Sequence, residues 1–426
     1  RSTLFPYTTL FRSWLTAGRR ERRRRSVSGT KRRILILGAI GLLMIYYGLK
    51  LYRAPLESYT WTELLINYAA GFIRRGLVGR VAYYFSQFVS PVFFLTLTVI
   101  LGYLIQLVLF FIQARSVPDR EWLLFALSPT GFLFTVYNFD AYGRKDVYLV
   151  VLFLLAYELI RRRVKLRIAF PLILILYEIG ALVHEYALFY FPFVLALLLV
   201  TESGRPRRSR LLIAAVGIVF LIGNLIWLFG LSNQYFDLDR IASSWEGLIP
   251  NYELTAQSGA MGWLGVPLKD GLQPVFDKLT FPQTFFSYLT AAALSLVPMA
   301  LLERRFGIAR AVRARLQGEP LFAWLAGAFA LSTAAISFFS SDWGRLIYLY
   351  GMNLFPIGTV TIERFGLTDR AAAEPDDGYS RLSFALLLIL FTSTWMVKMY
   401  VDGGHIALQG GAIYRLMDWI ERIQAG

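Results

Sequence analysis

The chain has 426 residues, 56% of them hydrophobic and 16% aromatic, which excludes a soluble globular protein and fits a chain that crosses a membrane many times. The formal charge of +16 does not point to nucleic acid, because the basic residues fall in short clusters between apolar runs, as membrane-loop charges do. Cys is absent and His184 and His405 are the only histidines; disulfides, thiolate chemistry and a multi-histidine metal site are excluded, and an oxygen-ligand site for Mg2+ or Mn2+ is left open.

Residues 3–13, TLFPYTTLFRS, resemble the translation of a sequencing-library adapter. Residues 1–13 are therefore expected to be an artefact, with the protein's own start at or after Trp14. Residues 14–33 are a basic segment, RRERRRR followed by KRR, which places the N-terminus in the cytoplasm. The first span is expected at 34–52. A long first external loop, 53–91, follows; its pieces 61–66 and 81–88 are apolar but too short to cross and read as helices lying in the membrane interface. Span two is expected at 92–112. Span three, 121–138, is interrupted by Ser128-Pro129-Thr130-Gly131, which predicts a broken helix. After FDAYGRKD at 139–146, span four runs 147–160. The stretch 168–201 lies between basic clusters that both belong inside, so it should cross twice and turn near Val183-His184-Glu185. Further spans are expected at 211–229, 285–302, 321–339, 346–362 and 382–400. The polar loop 231–282 is long enough to be partly structured or functional, and 401–426 forms an external tail ending in an amphipathic stretch. The expectation for 34–400 is an all-α polytopic transmembrane bundle of about eleven spans.

The stretch 67–80, NYAAGFIRRGLVGR, organises this layout. Arg74, Arg75 and Arg80 stand close to lipid, where unpaired cations are costly. Guanidinium forks match phosphate oxygens, and Gly71, Gly76 and Gly79 allow a backbone to approach a ligand closely. The competing reading is a juxtamembrane basic segment that sets topology. The purely basic linkers fall on the expected inside, whereas linkers mixing acids, arginines, glycines and aromatics fall outside. The outer set offers Arg74, Arg75, Arg80, Arg144, Lys145 and Arg345 as phosphate-binding cations. Its carboxylates are Glu57, Glu63, Asp140, Asp146, Glu185 and Asp342, with His184 beside Glu185 and Glu178 two helical turns before it. Solvated turns, local ion pairs and helix caps are the plain alternatives at each position.

A long first external loop with interfacial helices, acids in the first two external loops and an outward-facing site resemble the GT-C superfamily of membrane glycosyltransferases. The strings GFIRRGL, GRKD, HE and DWGR are similar to those of multispanning proteins of bacterial surface-polysaccharide loci. The resemblance implies a cell-envelope enzyme, multi-pass in a bacterial inner membrane, that takes sugar from a polyprenyl-phosphate donor. Its partners would be that lipid-linked substrate and membrane lipids, with no nucleic acid. It makes Glu57, Glu63 or Asp140 the catalytic base, with His184, Glu185 and Asp342 in support, and assigns a Mg2+ or Mn2+ ion, if one is used, to Asp140 or Asp146. A paired Asp motif of that family is absent. Two alternatives stand beside it: an O-antigen-type polymerase or ligase acting on polyprenyl-pyrophosphate glycans through arginines and His184 or Glu185, and a transporter or flippase of an anionic lipid-linked substrate. No internal repeat of the kind many transporters carry is evident.

Overall fold

The computed structural model describes residues 7–231, 237–250, 252–266, 268–368 and 381–425. Residues 1–6 of the adapter-like segment, parts of the 231–282 loop and most of the polar link at 363–381 lie outside them. In chain order the helices are α1 (Tyr7–Tyr52), α2 (Tyr59–Leu64), α3 (Leu77–Phe85), α4 (Pro91–Gln113), α5 (Asp119–Ala126), α6 (Phe134–Tyr137), α7 (Phe139–Tyr142), α8 (Asp146–Arg161), α9 (Leu166–Val183), α10 (Tyr186–Thr201) and α11 (Arg207–Ile226). They continue with α12 (Leu238–Ser243), α13 (Gly259–Leu264), α14 (Leu268–Thr280), α15 (Pro282–Ser295), α16 (Val297–Phe306), α17 (Ile308–Leu316), α18 (Pro320–Ser332), α19 (Ile336–Phe339), α20 (Trp343–Phe365), α21 (Arg381–Ser393) and α22 (Ala412–Ala425).

Among the described residues six segments are long and apolar enough to cross a membrane: Gly29–Tyr52, Pro91–Ser116, Leu166–Val183, Arg207–Gly230, Pro282–Phe306 and Pro320–Phe339. No more than 44% of the apolar window of any of them is buried within the protein, so most of that surface needs lipid. The interior is built from α8, α10 and α20. α10 is apolar all round, with two exceptions buried along its length up to Val200, as a helix without a polar face must be. Expectation and structure agree closely at 168–201: α9 stops at Val183, His184 takes an extended conformation, and α10 starts at Tyr186. Because the helix ends there, Glu178 and Glu185 do not share one helix face. The break in 121–138 is present too. α5 ends at Ala126, and a side chain at Gly131 would strike the Phe125 carbonyl at 2.1 Å, so only glycine lets the chain fold back here.

Two expectations are corrected. α2 does not lie in an interface. Thr60 to Leu64 are all buried, pinned by Trp61 Nε1 donating to the Leu51 carbonyl at 3.2 Å. α3 does keep an exposed apolar face, through Val81, Tyr84 and Phe85. The last apolar run, 382–400, is not helical throughout. Helix α21 ends at Ser393, where Ser393 and Thr394 hydroxyls turn back onto carbonyls of the preceding turn. Trp395–Val397 (β1) then pairs antiparallel with Leu408–Gly410 (β2), so the tail forms a hairpin before the amphipathic α22.

The connecting segments collect at two poles. At one, the basic linkers meet through ion pairs: Arg33 with Asp119, Arg305 with Glu121, Arg161 with Glu363, Arg364 with Glu202, and Arg210 with Glu319. At the other pole, the mixed linkers meet. Thr60 Oγ1 donates to the Asp140 carbonyl, Trp245 Nε1 to the Leu65 carbonyl, and the Asn138 amide to the Val397 carbonyl. The long loop, which carries α12 to α14, covers α2 there: Asn67 Nδ2 donates to Ser244 Oγ and the Ala260 N–H to Thr62 Oγ1, both at 2.8 Å.

Candidate functional site: a buried cluster of ionised groups

The charged residues of the second pole form a single cluster. Its centre is Glu63 on α2, which has no exposed surface. Arg144 Nε reaches Glu63 Oε2 at 2.6 Å, His184 Nε2 reaches Oε1 at 3.4 Å, Arg345 Nη2 reaches Oε1 at 3.8 Å, and Arg75 Nη1 reaches Oε1 at 4.0 Å. Four separate chain segments thus converge on one carboxylate. Further pairs surround it. Arg75 Nε donates to both Glu185 oxygens, at 3.0 and 2.8 Å, and Arg75 Nη2 also contacts Oε1. Arg345 embraces Asp146 with Nε and with Nη2, the latter at 2.7 Å. Asp342 bridges Arg144 Nη2 at 3.3 Å and Arg345 Nη1 at 3.4 Å.

Aromatic rings wall the cations. Arg144 lies 4.2 Å from the Tyr59 ring centre and Arg345 4.8 Å from that of Tyr186, a geometry that favours a desolvated guanidinium. The Tyr186 hydroxyl in turn meets Ser340 Oγ. Arg75 holds a left-handed backbone, φ 66°, which an L-residue adopts only where its surroundings impose it. Its carbonyl receives the Lys145 ammonium and its side chain is fixed on Glu185. Gly76 and Gly79 approach the protein's own chain closely, not a ligand. Added side chains would strike the Tyr68 ring at 2.1 Å and the Ile66 carbonyl at 2.2 Å.

Ionisation follows from this packing. Burial alone raises the Glu63 carboxyl, but Arg144, Arg345 and His184 outweigh it and hold it well below the usual carboxylate range. Burial likewise opposes ionisation of Glu185, and Arg75 more than reverses it. Burial, reinforced by Arg75, pulls His184 down to about 3, so its imidazole is neutral at ordinary pH. The Tyr186 N–H donates to His184 Nδ1 at 3.2 Å, which leaves the proton on Nε2, facing Glu63. Nδ1 is therefore engaged, while Nε2 lies 3.4 Å from Glu63 Oε1 without a hydrogen bond.

Lys145 is fully buried, and burial lowers its ammonium to about 7 from an ordinary 10.5. A lysine lowered in the fold costs stability that is fully present below about 7 and is recovered as pH climbs toward 10.5. The purified protein should accordingly gain thermal stability between pH 7 and pH 9.5, measured by its melting midpoint in detergent. Lys145→Met should be less pH-dependent over that window; an unchanged slope in the variant would assign the effect elsewhere.

Of the residues singled out in the sequence, Glu63, Arg75, Arg144, Lys145, Asp146, His184, Glu185, Asp342 and Arg345 are brought together. Three are not. Glu57 and Asp140 are exposed, and Asp140 contributes its carbonyl to Thr60. Arg80 is exposed and lies over the Tyr83 ring, 5.8 Å from its centre. Arg74 stands at the rim, where Glu185 acts on it electrostatically but no ion pair is formed among the described residues. Its guanidinium is 5.8 Å from the Phe229 ring centre and its buried Nε has no partner. Tyr59, Tyr186 and Lys278 carry no signal in the sequence that singles them out. Lys278, on α14, is buried 3.9 Å from the Tyr400 ring centre with no hydrogen-bond partner, and burial lowers it to about 8.

The acids do not form a metal cage. Among the described residues no three His, Asp or Glu side chains are arranged to hold an ion. Asp146 gives both oxygens to Arg345, and Asp140 is exposed and apart from it. Comparison with known proteins yields no match: no family model, no curated protein and no solved structure is detectably similar to this chain.

Proposed function

We propose that the chain is an integral membrane glycosyltransferase of about eleven crossings whose cluster pole faces outward and takes sugar from a polyprenyl-phosphate-linked donor in cell-surface polysaccharide or glycolipid assembly. One observation carries the reading: four linkers of mixed charge converge on Glu63, with guanidinium groups from three of them at the same centre. A site that must stabilise a departing phosphate needs such preorganised cations, held where water cannot screen them. The eleven crossings add α5 to α7, α8, α10, α20 and α21 to the six apolar segments, and the alternation of helix ends between the two poles supports that count.

The step needs an acceptor hydroxyl to lose its proton as its oxygen bonds to the anomeric carbon and the sugar–phosphate bond breaks. Glu63 is enclosed and Glu185 and Asp146 are held by arginines. Asp342, with 20% of its side chain exposed, is the most accessible carboxylate of the cluster. In this reading Asp342 takes the proton through Oδ1, since Arg144 and Arg345 engage Oδ2, and the leaving phosphate is met by Arg74 at the edge of the cluster. The cluster-forming carboxylates are positioning residues. Asp342→Asn should lower glycan transfer in membranes by about a hundredfold or more with protein level and melting midpoint near wild type. Retained transfer in Asp342→Asn would remove it from the reaction.

The pairing of the cluster's acids with arginines, Asp146 with Arg345 and Glu185 with Arg75, supports one second reading, a metal-independent polymerase or ligase acting on polyprenyl-pyrophosphate glycans. In that reading Arg74 serves the pyrophosphate, and His184, whose Nδ1 accepts from Tyr186 N–H, stands between Glu63 and Glu185. Transfer that persists in chelator supports this second reading; transfer that requires Mg2+ or Mn2+ counts against it.

A further inference from the structure

The opposite pole carries a second feature that the proposed reaction does not use. A cavity of about 720 Å3 opens there between the end of α4, the end of α8 and the end of α20, lined by Ile112, Arg115, Arg161, Arg162 and Glu363. Its charges are unevenly committed. Arg161 is saturated: Nε and Nη2 each meet Glu158 at 2.7 Å and Nη1 meets Glu363 at 2.8 Å. Arg161 and Arg162 together balance Glu158 and Glu363. Arg162 uses only Nε, on Glu158 at 2.6 Å, and 63% of its side chain is exposed. Arg115 is exposed, and among the described residues its guanidinium makes no hydrogen bond or ion pair. The cavity therefore presents the free fork of Arg115 and the outer nitrogens of Arg162, and Arg115 leaves it with a surplus positive charge.

The surface leading into it is apolar. On α4, Leu101, Ile105 and Val108 are exposed, and with Ile112 and Arg115 they follow one another at intervals of three or four residues, which places them along one face of the helix. That face belongs to a segment long and apolar enough to cross a membrane. The stripe ends at Ile112 on the cavity wall, and Arg115 stands one turn beyond it.

We propose that this cavity is a binding site for the headgroup of an anionic phospholipid, its phosphate held by Arg115 and Arg162 and its acyl chains lying on the Leu101–Ile105–Val108 stripe. A phosphodiester carries the two unesterified oxygens that a pair of forks would take. Basic cavities between helix ends at a membrane face are the arrangement that selects anionic over zwitterionic headgroups. Continuity of the cationic cavity with the apolar stripe is what favours a lipid over free phosphate, since inorganic phosphate has no use for the stripe. This inference does not depend on the proposed transferase activity.

The test uses the purified full-length protein and three probes: phosphatidylglycerol, phosphatidylcholine and inorganic phosphate. Lipid retention in detergent micelles is measured by native mass spectrometry or by exchange of a labelled lipid. Phosphatidylglycerol should bind saturably and at least tenfold more tightly than phosphatidylcholine. Arg115→Gln with Arg162→Gln should lose at least tenfold of that preference; both side chains are exposed, so folding should survive, which an unchanged melting midpoint checks. Arg115→Lys alone keeps the charge and should retain part of the preference. Equal binding of the two lipids, or full preference in the double variant, overturns the proposal. Complete displacement of phosphatidylglycerol by millimolar inorganic phosphate also overturns it and makes the cavity a free-anion site.

Discussion

Glu63→Ala is expected to be the most destabilising single substitution in the cluster, at about 3–5 kcal/mol. The reason is arithmetic of charge in a place without water. Glu63 has no exposed surface and is met by Arg144, Arg345, Arg75 and His184. Removing it leaves Arg144 with only Asp342, at 3.3 Å, as a carboxylate partner. A buried charge stripped of its counter-charge costs more than the pair ever contributed, because the remaining ion still bears its desolvation. The loss should be read as a fall in melting midpoint in detergent and in the yield of folded protein. Glu63→Gln keeps the shape and some hydrogen bonding and should fall between. A double variant, Glu63→Gln with Arg144→Gln, should recover part of the loss of Glu63→Gln, since it removes the orphaned charge with its partner. Wild-type stability in Glu63→Ala would mean that water reaches the cluster freely, and the low-dielectric account of the site would fall with it.

The reach of the sequence can be stated through these same residues. Polarity and charge sorted the linkers into two sets, and the two sets meet at opposite ends of the bundle. The helix break at 128–131 and the turn at His184-Glu185 were legible because proline, glycine and paired charges in an apolar run are strong local signals. Which charges would meet was not legible. Glu57, Asp140 and Arg80 have the same composition and loop setting as Glu63, Arg144 and Arg75. What separates them is side-chain direction within short helices, set by contacts such as Trp61 on the Leu51 carbonyl and Trp245 on the Leu65 carbonyl. Those contacts join segments up to 180 residues apart, and a periodicity argument does not reach that far. The burial of α2 was missed for the same reason: a six-residue helix looks interfacial until the long loop is known to cover it. The strand Trp395–Val397 was hidden inside an apolar run that is helical only up to Ser393.

Arg74 and Arg75 separate structure from chemistry, and they should do so in opposite ways. Arg75 has its fork filled by Glu185, with Glu63 beyond it. Lysine keeps the charge but cannot make the bidentate contact, and its ammonium cannot span Glu185 and Glu63 together. Arg75→Lys should therefore lower the melting midpoint, and any loss of transfer would follow that loss of structure. Among the described residues Arg74 forms no ion pair and its buried Nε makes no hydrogen bond, and it stands at the aromatic rim made by Phe229 and the stacked Phe72 and Trp227. An arginine held ready with nothing to bind is what a phosphate-bearing substrate requires. Arg74→Lys should leave stability and membrane insertion unchanged while cutting turnover on the order of tenfold to a thousandfold, about 1.4–4 kcal/mol of transition-state stabilisation. The measurement is glycan transfer in membranes carrying each variant, normalised to protein amount, with melting midpoints of the purified proteins beside it. Full transfer in Arg74→Lys would leave the reading without its free phosphate ligand, and the cluster would then stand as a structural knot that ties the loops of one pole together.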